Sequence, residues 1–148
     1  MRSFKPLVTL SEIPGEVCLT FPVTGCPMRC RNCHSPELRD SLQGSDLTRE
    51  KYLDLLRDHS GLVSCILFLG GDWLPEELAE RLDEAKSRGF LTGLYSGNPY
   101  VKNEKILSNL DFLKTGPFVQ FPINDPRTNQ RLVDFRTGED ITYRFWKH

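Results

Sequence analysis

The pattern of hydrophobic and polar positions along the chain predicts strands that alternate with helices. Residues 62–69 form a short, almost unbroken apolar run, which is typical of a parallel strand buried on both faces. Residues 75–88 instead carry apolar side chains at helical spacing. Pro75 suits the first turn of that helix, and Gly89 suits its end. The middle of the chain is therefore predicted to run from a buried strand into an amphipathic helix.

The same kind of pattern over the rest of the chain predicts a parallel sheet. The further strands are predicted at residues 16–24, 90–95 and 111–115, and the further helices at residues 48–60 and 103–110. The last segment, residues 141–146, alternates like a strand. Strands that alternate with helices imply right-handed βαβ units in an α/β fold, which we assign to a single domain of residues 1–148. Ligands of such sheets bind beyond the C-terminal ends of the strands.

Length and charge exclude several classes of protein. The chain has 148 residues, and 19 basic side chains face 20 acidic ones, so it lacks the basic excess of a nucleic-acid-binding protein. It is too short for a complete eight-fold barrel, which takes about 250 residues. No apolar run approaches the roughly 20 residues of a membrane span, and no secretory signal is recognisable. We therefore expect a cytoplasmic protein with reduced cysteines and no membrane partner.

Three of the five cysteines point to a metal centre. Cys26, Cys30 and Cys33 follow the first predicted strand with the spacing C-x3-C-x2-C. Three thiolates within eight residues can surround one metal ion or cluster. Four sulfur ligands would close a zinc site or saturate a four-iron cluster. Three would leave one iron without a protein ligand, and an open iron can bind a substrate.

Other interpretations of these cysteines remain open at this stage. A zinc site with His34 as fourth ligand is disfavoured because the adjacent Cys33 and His34 do not easily reach one tetrahedral ion. A c-type haem would fit the C-x-x-C-H spacing that begins at Cys30, but it needs export from the cytoplasm. Three unliganded thiols would be an improbable cluster. Cys18 and Cys65 lie among apolar residues of predicted strands, which predicts buried, unliganded thiols.

Several segments resemble one enzyme superfamily. Residues 25–37, GCPMRCRNCHSPE, resemble the cysteine motif of radical S-adenosylmethionine enzymes, and in particular their glycyl-radical-activating branch. Residues 69–72, LGGD, resemble the glycine-glycine-acid motif of that family, and residues 95–97 resemble a segment after its third strand. Residues 111–118, 128–132 and 140–146 resemble the activating proteins of anaerobic ribonucleoside-triphosphate reductase. The resemblance extends over residues 12–146.

The resemblance implies a fold, two cofactors and two partners. The fold would be an incomplete, open (βα) barrel with a mainly parallel sheet. Cys26, Cys30 and Cys33 would hold a 4Fe-4S cluster whose open iron binds S-adenosylmethionine. One electron, from a low-potential donor such as flavodoxin, would cleave S-adenosylmethionine to methionine and a 5′-deoxyadenosyl radical. That radical would take a hydrogen atom from a glycine of the partner, an anaerobic ribonucleoside-triphosphate reductase.

The resemblance also implies residues that bind S-adenosylmethionine. Gly70 and Gly71 would let the ligand approach the backbone closely, and their amide groups with the Asp72 carboxylate could hold its ammonium group. Ser96 could reach its ribose or carboxylate, and His34 could pack by the cluster or the adenine ring. The alternatives are ordinary ones: turns after two strands, and a solvated loop histidine.

Three alternatives to the activation of the reductase remain open. The chain could activate another glycyl-radical enzyme, of the formate-lyase type. It could be a non-catalytic zinc or redox module, or a radical enzyme that acts on a small molecule. Asp72 is one methylene shorter than the glutamate of many relatives, and the role of Lys114 stays open.

Overall fold

The computed structural model describes residues 1–27, 39–117 and 121–146. The elements in chain order are β1 (Arg2–Ser3), β2 (Leu7–Thr9), β3 (Cys18–Pro22), β4 (Ser45–Asp46), α1 (Arg49–Asp58), β5 (Cys65–Leu69), α2 (Pro75–Ser87), β6 (Leu91–Tyr95), α3 (Glu104–Leu107), β7 (Phe112–Thr115), β8 (Arg131–Asp134), β9 (Glu139–Asp140) and a 3-10 helix (Thr142–Phe145). No helix in these ranges is long and apolar enough to cross a membrane.

Seven of the strands form one open sheet. Its strand order is β2-β3-β5-β6-β7-β8-β9, and the four central strands from β3 to β7 run parallel. The strands β2, β8 and β9 extend this centre with antiparallel pairs. The connections between the parallel strands contain α1, α2 and α3 in turn, so strands and helices alternate. The predicted α/β fold with a parallel centre is confirmed, and it is compatible with an open, partial barrel.

The three helices begin where the sequence predicts. The Thr48 hydroxyl accepts a hydrogen bond from the Lys51 N–H at 3.2 Å and caps α1. Pro75 occupies the first turn of α2, where a missing N–H costs nothing. The Asn103 side chain accepts from the Ile106 N–H at 3.0 Å and caps α3. Local capping therefore fixes the start of two of these helices.

The prediction of a strand at residues 141–146 is wrong. The segment forms a 3-10 helix, because the Asp140 carboxylate accepts hydrogen bonds from the N–H and the hydroxyl of Thr142, at 3.0 and 2.6 Å. Ile141 and Phe145 are both buried, and their spacing of four residues fits a helical turn as well as an alternating strand. The strand pairing in this region comes instead from β8 and β9.

The two faces of the sheet pack against different parts of the chain. One face packs against the helices through Leu19, Phe21, Ile66, Phe68 and Leu94. The other face carries Cys18, Cys65, Leu67, Phe112 and Leu132, and it packs against Ile13 and the 3-10 helix. Because a Cβ on Gly93 would lie 2.8 Å from the Ile13 side chain, glycine lets that segment lie directly on the sheet. The burial predicted for Cys18 and Cys65 is confirmed.

A lysine is half-buried at the C-terminal end of this second face. The Lys114 ammonium lies 3.7 Å from the centre of the Tyr95 ring. The Tyr95 hydroxyl in turn donates a hydrogen bond to the Glu12 carbonyl. Burial lowers the pKa of Lys114 from 10.5 to about 8, although the nearby Glu12 carboxylate acts in the opposite direction. The fold therefore penalises the protonated form of this lysine, and the ring recovers only part of that cost.

We expect Lys114→Met to increase the free energy of unfolding at pH 7 by about 2 kcal/mol. The cost of burying charged Lys114 is fully present below its folded-state pKa of about 8. It disappears as the pH rises toward 10.5, where the lysine of the unfolded chain also loses its proton. Urea titrations from pH 7 to 10.5 measure this, with Lys105→Met, which replaces an exposed lysine of α3, as the control. A stability difference that does not change with pH contradicts the prediction.

Candidate functional site

The loops after β3, β5 and β6 meet at one edge of the sheet. These three strands are parallel neighbours in the order of the chain, so their C-terminal ends lie side by side. Gly25 and Cys26 follow β3, the turn of residues 70–72 follows β5, and Ser96 and Asn98 follow β6. Residues that are far apart in the sequence are thereby brought together at the edge where the sequence predicts the ligand.

Asp72 is held by the loop that follows β6. Its Oδ2 atom accepts hydrogen bonds from the Ser96 hydroxyl at 2.8 Å and from the Asn98 side-chain amide at 2.7 Å. The Ser96 hydroxyl also accepts the Asn98 N–H at 3.1 Å. The Oδ1 atom of Asp72 makes no hydrogen bond with the residues that the structure describes. The carboxylate is therefore fixed by one oxygen, and the other can accept a hydrogen bond from a cationic group.

The loop that holds Asp72 is itself anchored to β7. The Ser96 N–H donates to the Lys114 carbonyl at 2.8 Å, and the Asn98 carbonyl accepts the Gly116 N–H at 2.9 Å. Ser96 is only 3% exposed, so its hydroxyl is committed to Asp72 and Asn98. Asn98 was missed by the sequence analysis. The signal that could have found it is a polar side chain two residues beyond Ser96, in the same strand-end loop.

Gly70 and Gly71 are required by conformation and by packing. Their φ angles are +85° and +103°, in the left-handed region that favours glycine. A Cβ on Gly70 would lie 2.5 Å from the Trp73 ring, and one on Gly71 would lie 3.4 Å from Met1 and 3.5 Å from Val23. The space beside these glycines is thus filled by side chains of the protein. Any contact of this turn with a ligand would come from its backbone and from Asp72.

The Trp73 indole connects this turn to the start of the cysteine segment, the stretch of residues 25–41 that contains the three motif cysteines. Its Nε1 atom lies 3.5 Å from the position that a Cβ on Gly25 would take, and its ring covers Gly70. Cys26, the next residue after Gly25, is half-buried. The first cysteine of the motif therefore leaves the sheet beside the turn that carries Asp72.

Cys30, Cys33 and His34 lie outside the residues that the structure describes, so their predicted roles stay predictions. Over residues 1–27, 39–117 and 121–146, no three His, Cys, Asp or Glu side chains form a metal site. That finding concerns a part of the chain with only one of the three motif cysteines. Whether the chain could hold a cluster is therefore judged from the other two described cysteines, Cys18 and Cys65.

Cys18 and Cys65 are excluded from the donor set at this edge. They are the first residues of β3 and β5, and a five-residue strand separates them by roughly 16 Å from the edge where Asp72 lies. A hydrogen bond with the Cys18 thiol, together with burial, raises the pKa of Cys65, so the Cys65 thiol stays protonated. The predicted donor set is therefore the C-x3-C-x2-C motif. Three thiolates fit a four-iron cluster with one open iron, so the chain's residues are compatible with that group.

Comparison with known proteins indicates an iron–sulfur family. Residues 13–133 match the family described as a 4Fe-4S single cluster domain. A pyruvate formate-lyase-activating enzyme of Clostridium pasteurianum is 36% identical over an alignment of 113 residues, and the match covers 70% of this chain and 46% of that protein. The chain thus spans about half the length of that relative. No solved structure matches the chain.

The family match covers most of the chain, including the three motif cysteines, Asp72, Ser96 and Asn98. The chain therefore belongs to the family of 4Fe-4S single cluster domains.

Proposed function

We propose that this protein is an activating enzyme that installs a glycyl radical on anaerobic ribonucleoside-triphosphate reductase. It would use a 4Fe-4S cluster, S-adenosylmethionine and a low-potential electron donor such as flavodoxin, in the cytoplasm. The observation that carries the proposal is the Asp72 carboxylate, held by Ser96 and Asn98 at the edge where the cysteine segment leaves the sheet. An oriented anion beside a cysteine motif suits a cationic ligand of the cluster.

The chain's own residues would bind and orient the two cofactors. The thiolates of Cys26, Cys30 and Cys33 would hold the cluster, which when bound supplies one electron to S-adenosylmethionine. The three cysteines would leave one iron without a protein ligand, since Cys18 and Cys65 are buried at the opposite edge. The protein thus contributes binding, orientation and exclusion of water.

Asp72 would accept the ammonium group of S-adenosylmethionine on its Oδ1 atom. The hydrogen bonds from Ser96 and Asn98 hold the carboxylate in place and prevent its rotation. Because the site is partly shielded from water, the attraction between carboxylate and ammonium is stronger than on an open surface. Ser96 acts here through Asp72, which differs from the direct contact with ribose or carboxylate expected from the sequence.

The choice of the reductase as partner rests on the C-terminal half of the chain. The three segments that resemble reductase activases lie in contact with one another. The Gln130 side chain donates to the Gly116 carbonyl at 3.2 Å, and the Thr142 hydroxyl accepts the Leu132 N–H at 2.8 Å. A shared packing unit supports a shared role. The likeness to a pyruvate formate-lyase-activating enzyme favours the alternative, an activase of the formate-lyase type.

We expect Cys30→Ser to abolish cluster assembly, because two thiolates do not retain a four-iron cluster. Iron and acid-labile sulfide, measured after anaerobic reconstitution, should fall from about four of each per chain to near zero. Cys18→Ala, which removes a buried thiol at the opposite edge, should keep the full content. A wild-type protein that retains zinc without sulfide would point instead to the binding-module function.

We expect Asp72→Asn to weaken binding of S-adenosylmethionine about 10- to 100-fold, because a charge-assisted hydrogen bond is replaced by a neutral one. Equilibrium dialysis of the reconstituted protein with labelled S-adenosylmethionine measures this. Asp83→Asn, which replaces an exposed acid of α2, serves as the control. Equal affinities of the Asp72 variant and the wild type would exclude Asp72 from the ligand site.

We expect a glycyl-radical signal on anaerobic ribonucleoside-triphosphate reductase after incubation with the reconstituted protein, S-adenosylmethionine and a reductant. Electron paramagnetic resonance detects the radical, and a parallel incubation uses pyruvate formate-lyase. A signal that arises on the lyase and not on the reductase supports the alternative partner and rejects the first one. The Cys30→Ser variant should give no signal with either partner.

A further inference from the structure

One arginine contacts the downstream end of the cysteine segment. Arg2, in β1, donates hydrogen bonds to three consecutive backbone carbonyls. Its Nη2 atom reaches Gly44 at 2.7 Å and Leu42 at 3.3 Å, and its Nε atom reaches Gln43 at 3.3 Å. The planar guanidinium presents several donors in a rigid arrangement, which lysine cannot reproduce. The turn of residues 42–44 is thereby fixed to the start of the chain.

The backbone of Arg2 contacts the upstream end of the cysteine segment. The Arg2 carbonyl accepts the Thr24 N–H at 3.0 Å and the Thr24 hydroxyl at 3.3 Å. Thr24 lies two residues before Cys26. Arg2 also pairs with Asp46 in the antiparallel pair of β1 and β4. Arg2 thus bridges residue 24 and residues 42–44, the two ends of the stretch that contains all three motif cysteines.

A glycine makes this bridge possible. Gly44 has a φ of +76°, and a Cβ at its position would lie 2.6 Å from the Ser3 carbonyl oxygen and 3.1 Å from the Phe4 nitrogen. Any side chain would push the turn away from β1 and from the Arg2 guanidinium. The conformation and the space at Gly44 are therefore both set by contact with β1.

Bringing the two ends of a chain segment together costs conformational entropy. If folding has already joined the ends, less of that cost is left when three thiolates gather around a cluster. We propose that Arg2 is a positioning residue for the iron–sulfur site, which closes the base of the cysteine segment. The inference rests on the proposed cluster. It assigns a role to a residue outside the region matched by the family, which begins at residue 13.

The test compares the release of iron from the reconstituted protein with the stability of the cluster-free protein. Arg2→Ala should increase the rate of anaerobic iron transfer to an excess of chelator about tenfold or more. Arg2→Lys should restore only part of the loss. Arg88→Ala is the matched control, because the Arg88 guanidinium also donates to a backbone carbonyl, that of Glu84 at 3.1 Å. Arg88 is the C-cap of α2, away from the cysteine segment. Urea midpoints of the cluster-free proteins should be similar for both alanine variants.

A second pair of variants tests the same bridge without touching the arginine. Gly44 and Gly138 have the same φ of +76°, but a Cβ on Gly138 would meet nothing within 4 Å. Gly44→Ala should therefore accelerate iron release as Arg2→Ala does, whereas Gly138→Ala, with the same backbone strain, should not.

The outcomes separate this inference from the proposed function. A wild-type protein that assembles no cluster rejects the proposed function. A wild-type cluster that is retained equally by all the variants rejects the role of Arg2 and leaves the proposed function in place. Faster release from Arg2→Ala that is matched by a collapse of its urea midpoint, with Gly44→Ala behaving as wild type, also rejects it.

Discussion

The parallel pairing of β3, β5, β6 and β7 is the constraint on which the site depends. Parallel strands present their C-terminal ends at one edge, so the loops that follow them must meet there. Asp72 and Asn98 are 26 residues apart in sequence, yet their side chains lie 2.7 Å apart. The loop after β6 is tied to β7, and that tie fixes the carboxylate. Without this register, the polar residues of the three loops would be unrelated surface groups.

The packing of the second sheet face also shapes the site. Ile13 and the 3-10 helix cover the N-terminal and middle parts of that face, where Cys18 and Cys65 lie. Toward the C-terminal end the face becomes polar, with Lys114 stacked on Tyr95. A packed apolar region therefore lies beneath the edge that carries Asp72, and it keeps two of the five thiols away from that edge.

Local sequence signals predict the helices and the central strands. They do not predict the short strands at the edge of the sheet. Thr48, Pro75 and Asn103 mark helix starts that depend on nearby residues alone, and apolar runs mark the central strands. The strands β8 and β9 have only four and two residues, and their conformation depends on pairing with β7 and with each other.

The same contrast applies to the site. The placement of Asp72 and Ser96 at one sheet edge could be predicted because they belong to motifs at strand ends, and their roles as ligand-binding residues remain predictions. Asn98 could not be assigned a role because its bond to Asp72 exists only after folding. Arg2 lies 40 or more residues before its acceptor carbonyls, so no local pattern indicates its contacts. The roles of Cys30, Cys33 and His34 remain predictions from their spacing.

The central claim is that three cysteines of this chain leave one iron of a cluster open to S-adenosylmethionine. Electron paramagnetic resonance of the anaerobically reconstituted, reduced protein, with and without S-adenosylmethionine, tests it most directly. The account predicts a cluster signal whose shape changes when the ligand is added. A cluster signal that is indifferent to S-adenosylmethionine would contradict it and would indicate an electron carrier.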